Sequence, residues 1–123
     1  MRTIAPEDRR RKPRHDVEGL LVCVRRKGRL AKLIGMAVDF NRFGLAVVTD
    51  QPLSRETLVY LSITTPMAKI DNVIGVVHNC ISQDTGYRCG IQFRTASPLQ
   101  DEPSRIEHEL TQLEYYFETC QVD

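Results

Sequence analysis

Residues 87–94 read YRCGIQFR: Tyr87, Cys89, Ile91 and Phe93 alternate with Arg88, Gly90, Gln92 and Arg94. Successive side chains of a strand point to opposite faces. This period of two therefore turns one apolar face inward and one polar face to water. Just ahead, Asp84-Thr85-Gly86 has the chemistry of a hairpin turn. It folds the stretch back against NVIGVVHNCIS, residues 72–82.

Further out lie other strand-like runs. TLVYLSITT (57–65) is rich in residues that suit a pleated surface and ends at Pro66. GLAVVTD (44–50) closes on Asp50-Gln51-Pro52, LAKLIGMAVDF (30–40) precedes it, and GLLVCVRR (19–26) runs into the turn signal Lys27-Gly28. Six short strands joined by tight turns predict a mostly β fold, a small six-stranded antiparallel barrel. Only the end departs from this. SRIEHELTQLEYYFETC places Ile106, Leu110, Leu113 and Phe117 at helical spacing, with an acidic face expected outward. Ser104 and Glu107 form a capping box, and Pro103 marks the boundary before it. A C-terminal α-helix is expected over about residues 103–119.

The chain of 123 residues fits one domain able to bury a core without metals or staples. No apolar run approaches the length that spans a bilayer, and the basic N-terminus has no apolar stretch behind it. A cytoplasmic protein without membrane insertion is expected. Cys23, Cys80, Cys89 and Cys120 show no Cys-x-x-Cys spacing, and three of them sit in apolar runs as small hydrophobes. His15, His78 and His108 are isolated in sequence. With no nucleophile elbow, phosphate-binding glycine loop or metal-spaced cluster, neither catalysis nor a metal or cofactor is expected.

The formal charge of +1 hides a division along the chain. Residues 1–14 carry Arg2, Arg9, Arg10, Arg11, Lys12 and Arg14 against Glu7 and Asp8, whereas the last quarter is acidic. Residues 1–14 are read as a flexible basic arm and 15–123 as the barrel with its helix. Pro13 biases Lys12 to an extended conformation, so the arginines lie along an arm rather than a helix. Guanidinium groups at Arg10 and Arg14 can then grip a compact ligand from two sides. Their planar forks suit phosphate oxygens or the O6 and N7 acceptors of guanine. A second motif, DFNRFG (39–44), lies where two strands join. Asp39 and Asn41 alternate onto one side of the strand end, and Gly44 is expected to supply a positive φ in the turn. The Asp39 carboxylate can accept from guanine N1 and N2.

Arg10-x-x-x-Arg14 ahead of a small barrel, followed by Asp39-x-Asn41-x-x-Gly44, resembles the PilZ domain family of bacterial cyclic di-GMP receptors. The resemblance covers nearly the whole chain. Each motif alone is a weak signal; their order on this architecture carries the likeness. It implies that Arg9, Arg10, Arg11, Arg14, Asp39, Asn41 and Gly44 bind cyclic di-GMP. It also puts His78 where relatives place an aromatic residue or Arg against a base. Asn41 stands where the family usually has Ser; it keeps donor and acceptor capacity but is bulkier. One or two nucleotides could sit in the arginine cluster. As a second-messenger receptor without an output domain, the protein would signal by ordering its arm and docking on an effector protein. Two other readings start from the same residues. One is a small basic barrel binding RNA or single-stranded DNA, although the arm lacks the aromatics such platforms use. The other is a PilZ-like adaptor that binds no nucleotide.

Overall fold

The strand-like runs curl into a closed ring. The computed structural model describes residues 15–16, 20–66, 68–94 and 104–120. Its elements are β1 (His15–Asp16), β2 (Leu21–Arg26), β3 (Lys32–Asn41), β4 (Gly44–Thr49), β5 (Leu58–Thr64), β6 (Lys69–Gln83), β7 (Gly86–Phe93) and α1 (Arg105–Cys120). Neighbours pair antiparallel in the order β3-β2-β5-β6-β7-β4, and β4 returns to β3. The result is the expected closed six-stranded antiparallel barrel with one C-terminal helix. Closure gives each of these six strands a hydrogen-bonded neighbour on both sides, which an open sheet cannot do.

The short β1 adds to this ring. β2 lines β3 from Lys32 to Met36, and β1 takes up the same edge further along, with His15 opposite Phe40 and Asp16 opposite Asp39. The turns follow their chemistry. Gly28 adopts φ 79° after β2, and Gln83 faces Gly86 across the two-residue loop Asp84-Thr85.

Val22, Val24, Val47, Leu61, Ile63 and Ile91 fill the barrel and are essentially inaccessible to water. A bulge between Ala37 and Asp39 changes which residues of β3 face inward. Leu33 and Ala37 are buried before it, Phe40 after it. Phe40 thereby meets Phe93 within the barrel and Phe117 on α1, at ring-centroid distances of 6.1 and 5.8 Å. Leu110, Leu113 and Phe117 bury the apolar stripe of the helix against the same core.

The capping box forms as read. Ser104 N–H donates to Glu107 Oε1 at 3.0 Å, and Glu107 N–H to Ser104 Oγ at 3.2 Å. The acidic face needs one correction. Glu114 does not point to water; it is fully buried.

Candidate functional site

The DFNRFG segment carries β3 into β4, and its shape comes from Asn41. This side chain is only 1% exposed. Its Oδ1 accepts from Phe43 N–H at 2.8 Å and Gly44 N–H at 3.1 Å, closing the turn on itself. Asn41 therefore supplies the backbone geometry of the turn. Gly44 corrects the expectation of a positive φ: among the described glycines only Gly28 and Gly86 have one. Glycine is needed at 44 for space, because a Cβ there would run into the backbone carbonyl oxygen of Ile91 on β7.

Asp39 leaves β3 on the outer side, next to the bulge. The bulge interrupts the ladder, and the Ala46 N–H donates to Asp39 Oδ1 at 3.0 Å. From β7, Arg88 reaches across β4 and donates through Nη2 to Asp39 Oδ2 at 2.9 Å. The carboxylate is mostly covered, at 16% exposure, while Arg88 remains 43% exposed. The two hold a fixed donor–acceptor pair at the barrel surface, a suitable geometry for a base edge or a phosphate.

Arg42 ties this turn to the helix. Its backbone N–H and its Nε both donate to the buried Glu114 carboxylate, at 3.0 and 2.7 Å. The adjoining Phe43 is 37% exposed and presents an apolar ring beside the turn.

Asp39, Asn41 and Gly44 thus come together at one turn. His78 is exposed and sits at a second bulge, between Val77 and Asn79 on β6. The register runs Asn79–Gly90–Ala46–Asp39 across β6, β7, β4 and β3. Three strand spacings, about 14 Å along the curved sheet, therefore separate His78 from Asp39. Arg9, Arg10, Arg11 and Arg14 lie outside the described residues. The chain immediately after Arg14 does not: β1 lies against the Asp39 end of β3.

Sequence reasoning missed Arg88, Arg42 and Glu114. Arg88 was visible only as one polar-face residue among several. Glu114 left a clearer mark, since it falls within the i, i+3, i+4, i+7 stripe of Leu110, Leu113 and Phe117. An acid on that stripe must be buried and must find a cation.

The family model for the PilZ domain matches residues 8–112, most of the chain and a range that includes residues 10–14 and 39–44. The chain belongs to the PilZ domain family. PilZ domains form a family of cyclic di-GMP receptors, and their matched region here runs from the arginine cluster into α1. A comparison with curated proteins gave no match. Among the described residues of this PilZ domain, no cluster of His, Cys, Asp or Glu is arranged to hold a metal. No described helix is long and apolar enough to cross a membrane.

Proposed function

We propose that this PilZ protein is a cytoplasmic receptor for cyclic di-GMP that acts by binding rather than by catalysis. The nucleotide sits between the arm and the Asp39 rim. Arg10 and Arg14, flanked by Arg9 and Arg11, pair with its phosphates and with guanine O6 and N7. Asp39 accepts from guanine N1 and N2; a carboxylate has about four acceptor sites, so it can do this while paired to Arg88. Asn41 and Gly44 hold the turn in shape, and His78 flanks the site.

One observation supports this reading above the others. β1 pairs with β3 so that Asp16 faces Asp39, and the chain that follows Arg14 is thereby tied to the carboxylate motif. Although 24 residues of sequence separate Arg14 from Asp39, the residue next after Arg14 already lies on the same strand edge as Asp39. With the nucleotide in place, arm and rim make one surface, and an effector protein docks there.

Isothermal titration tests the reading. Cyclic di-GMP should bind, with strong preference over GTP and an oligonucleotide, and over cyclic di-AMP because adenine cannot offer both O6 and N7 acceptors. Arg10→Ala and Arg14→Ala should each cost on the order of 2–5 kcal/mol of binding and leave the barrel folded. Equal heats from cyclic di-AMP, or arginine variants that bind like the parent protein, would sink it.

A further inference from the structure

The hairpin between β2 and β3 stands apart from this site. Its residues read RRKGRLAK, 25–32, with five cations in eight positions. From Leu20 to Val38 the chain contains no Asp or Glu. The ion pairs found among the described residues join Arg42 to Glu114, Lys69 to Asp71, Arg88 to Asp39 and Arg105 to Glu109; none involves the hairpin. Arg25 lies over the Tyr60 ring, 4.7 Å from its centroid, and donates to the Arg29 carbonyl. The Nε of Arg26 is buried with no hydrogen-bond partner among the described residues. Lys27, Arg29 and Lys32 are exposed.

At the tip of this uncompensated positive charge stands Leu30, 94% exposed. Single exposed leucines are ordinary on protein surfaces. Beyond Lys32, the outer face of the same strand carries an apolar strip. Ile34 is 65% exposed, and the paired Leu21 and Met36 are 43% and 48% exposed. A leucine ringed by cations matches an anionic bilayer, where the charges meet headgroups and the apolar tip enters the acyl boundary. A nucleic acid would use the charge, but it gains nothing from Leu30. The aromatic residue paired beside the hairpin, Tyr60, is covered by Arg25.

We propose that the β2–β3 hairpin docks this protein on anionic lipid membranes, with Leu30 inserted and Lys27, Arg29 and Lys32 at headgroup level. β3 separates this tip from the Asp39–Gly44 turn. Its ten residues span about 30 Å, so membrane and nucleotide engage opposite ends of the barrel. A membrane-bound protein would then present its nucleotide rim away from the bilayer.

Vesicle co-sedimentation of the full chain tests this, with phosphatidylglycerol-containing vesicles set against vesicles of phosphatidylcholine alone. Binding should need the anionic lipid and weaken with salt. Each cation near an anionic surface contributes about fivefold, so Lys27→Ala with Arg29→Ala should lower partitioning about 30-fold. Leu30→Ser leaves the charge intact and should lower it about tenfold. Arg10→Ala with Arg14→Ala controls for the basic arm and should leave most of the binding. The proposal is overturned if vesicles do not sediment the protein, or if only the arm variant loses binding. It is also overturned if Leu30→Ser is without effect while an RNA oligomer competes the protein off the vesicles.

Discussion

Arg42 holds Glu114 twice, through its backbone N–H at 3.0 Å and its Nε at 2.7 Å, and so fastens the β3–β4 turn to α1. The carboxylate is wholly enclosed, whereas the Arg42 side chain keeps 37% of its surface in water. The two partners are therefore not equivalent. Arg42→Met strands a buried charge and should cost about 3 kcal/mol of folding stability. Glu114→Gln leaves a guanidinium that water can reach, and should cost only about 1–2 kcal/mol. Urea unfolding of both variants checks the order; an equal loss would mean that the carboxylate is held mainly by other groups.

Gly44 and Gly28 make a second contrast. Alanine at 44 directs its Cβ into the Ile91 carbonyl, a backbone atom of a paired strand that cannot turn aside. Overpacking of this kind should cost about 3 kcal/mol and loosen the β4–β7 pairing. Alanine at 28 meets nothing within 4 Å and bears only the strain of φ 79°, about 1 kcal/mol. Thermal unfolding of the two variants separates crowding from backbone strain.

At the rim, Asp39→Ala should abolish most cyclic di-GMP binding. Arg88→Ala should weaken it less, since Arg88 orients the carboxylate that meets the base. Its own stability cost should stay below about 1 kcal/mol, as the pair is partly exposed. Asn41→Ser should bind equally well or more tightly, because a hydroxyl can accept from the same two N–H groups. Asn41→Ala leaves Phe43 and Gly44 N–H without that acceptor and should cost about 1–3 kcal/mol of stability. Titration calorimetry beside unfolding distinguishes the binding role of Asp39 from the turn-forming role of Asn41.

The strands were legible as short apolar, partly β-branched runs bounded by turn signals, and Tyr87 to Arg94 adds uninterrupted alternation. The helix was legible from the spacing of Leu110, Leu113 and Phe117 and from the Ser104–Glu107 box. Ring closure could not be read from alternation alone, because the β3–β4 register depends on a bulge at residues 37–39 that no local pattern announces. The same bulge opens the Ala46 N–H to Asp39, so the carboxylate's environment was hidden with it. Arg88 lies 49 residues from Asp39, and only the strand order brings the two together. Gly44 was recognised as a necessary glycine for the wrong reason: turns favour positive φ in general, but this position is governed by the carbonyl of a strand distant in sequence.

Cys80 and Cys89 face each other across β6 and β7 with their sulfurs 3.1 Å apart. Burial, helped by the neighbouring Cys80 thiol, pushes the Cys89 thiol up from 9.0 to about 11. Iodoacetamide at pH 8 should therefore label Cys23 well before Cys89, because the reactive species is the thiolate. Below pH 9 the Cys89 proton is bound in both the folded and unfolded states. Between pH 9 and 11 the unfolded chain releases it while the folded protein keeps it, so this group's contribution lowers stability across that window. Mass spectrometry of alkylated peptides gives the labelling order. Alkaline titration of a Cys89→Ala variant should show a smaller loss over the same range.

Hydrogen exchange with and without cyclic di-GMP tests how arm and rim respond together. Residues 9–14 carry five like charges in six positions, and two phosphates among them relieve that repulsion. Fixing a backbone residue costs roughly 1–2 kcal/mol, so engaging the arm draws on part of the gross binding energy. Exchange should slow in residues 7–16 and again around 39–44, where the β1 register joins the two segments. Residues 57–65 should change little, because β5 is paired on both sides and lies beyond β2 from the rim. Protection at 7–16 that is already complete without ligand would leave cyclic di-GMP as the ligand but remove arm engagement as the signal. Protection confined to 39–44 would mean that the rim binds the nucleotide without the arginines, and the pairing of the two motifs would then have no functional content.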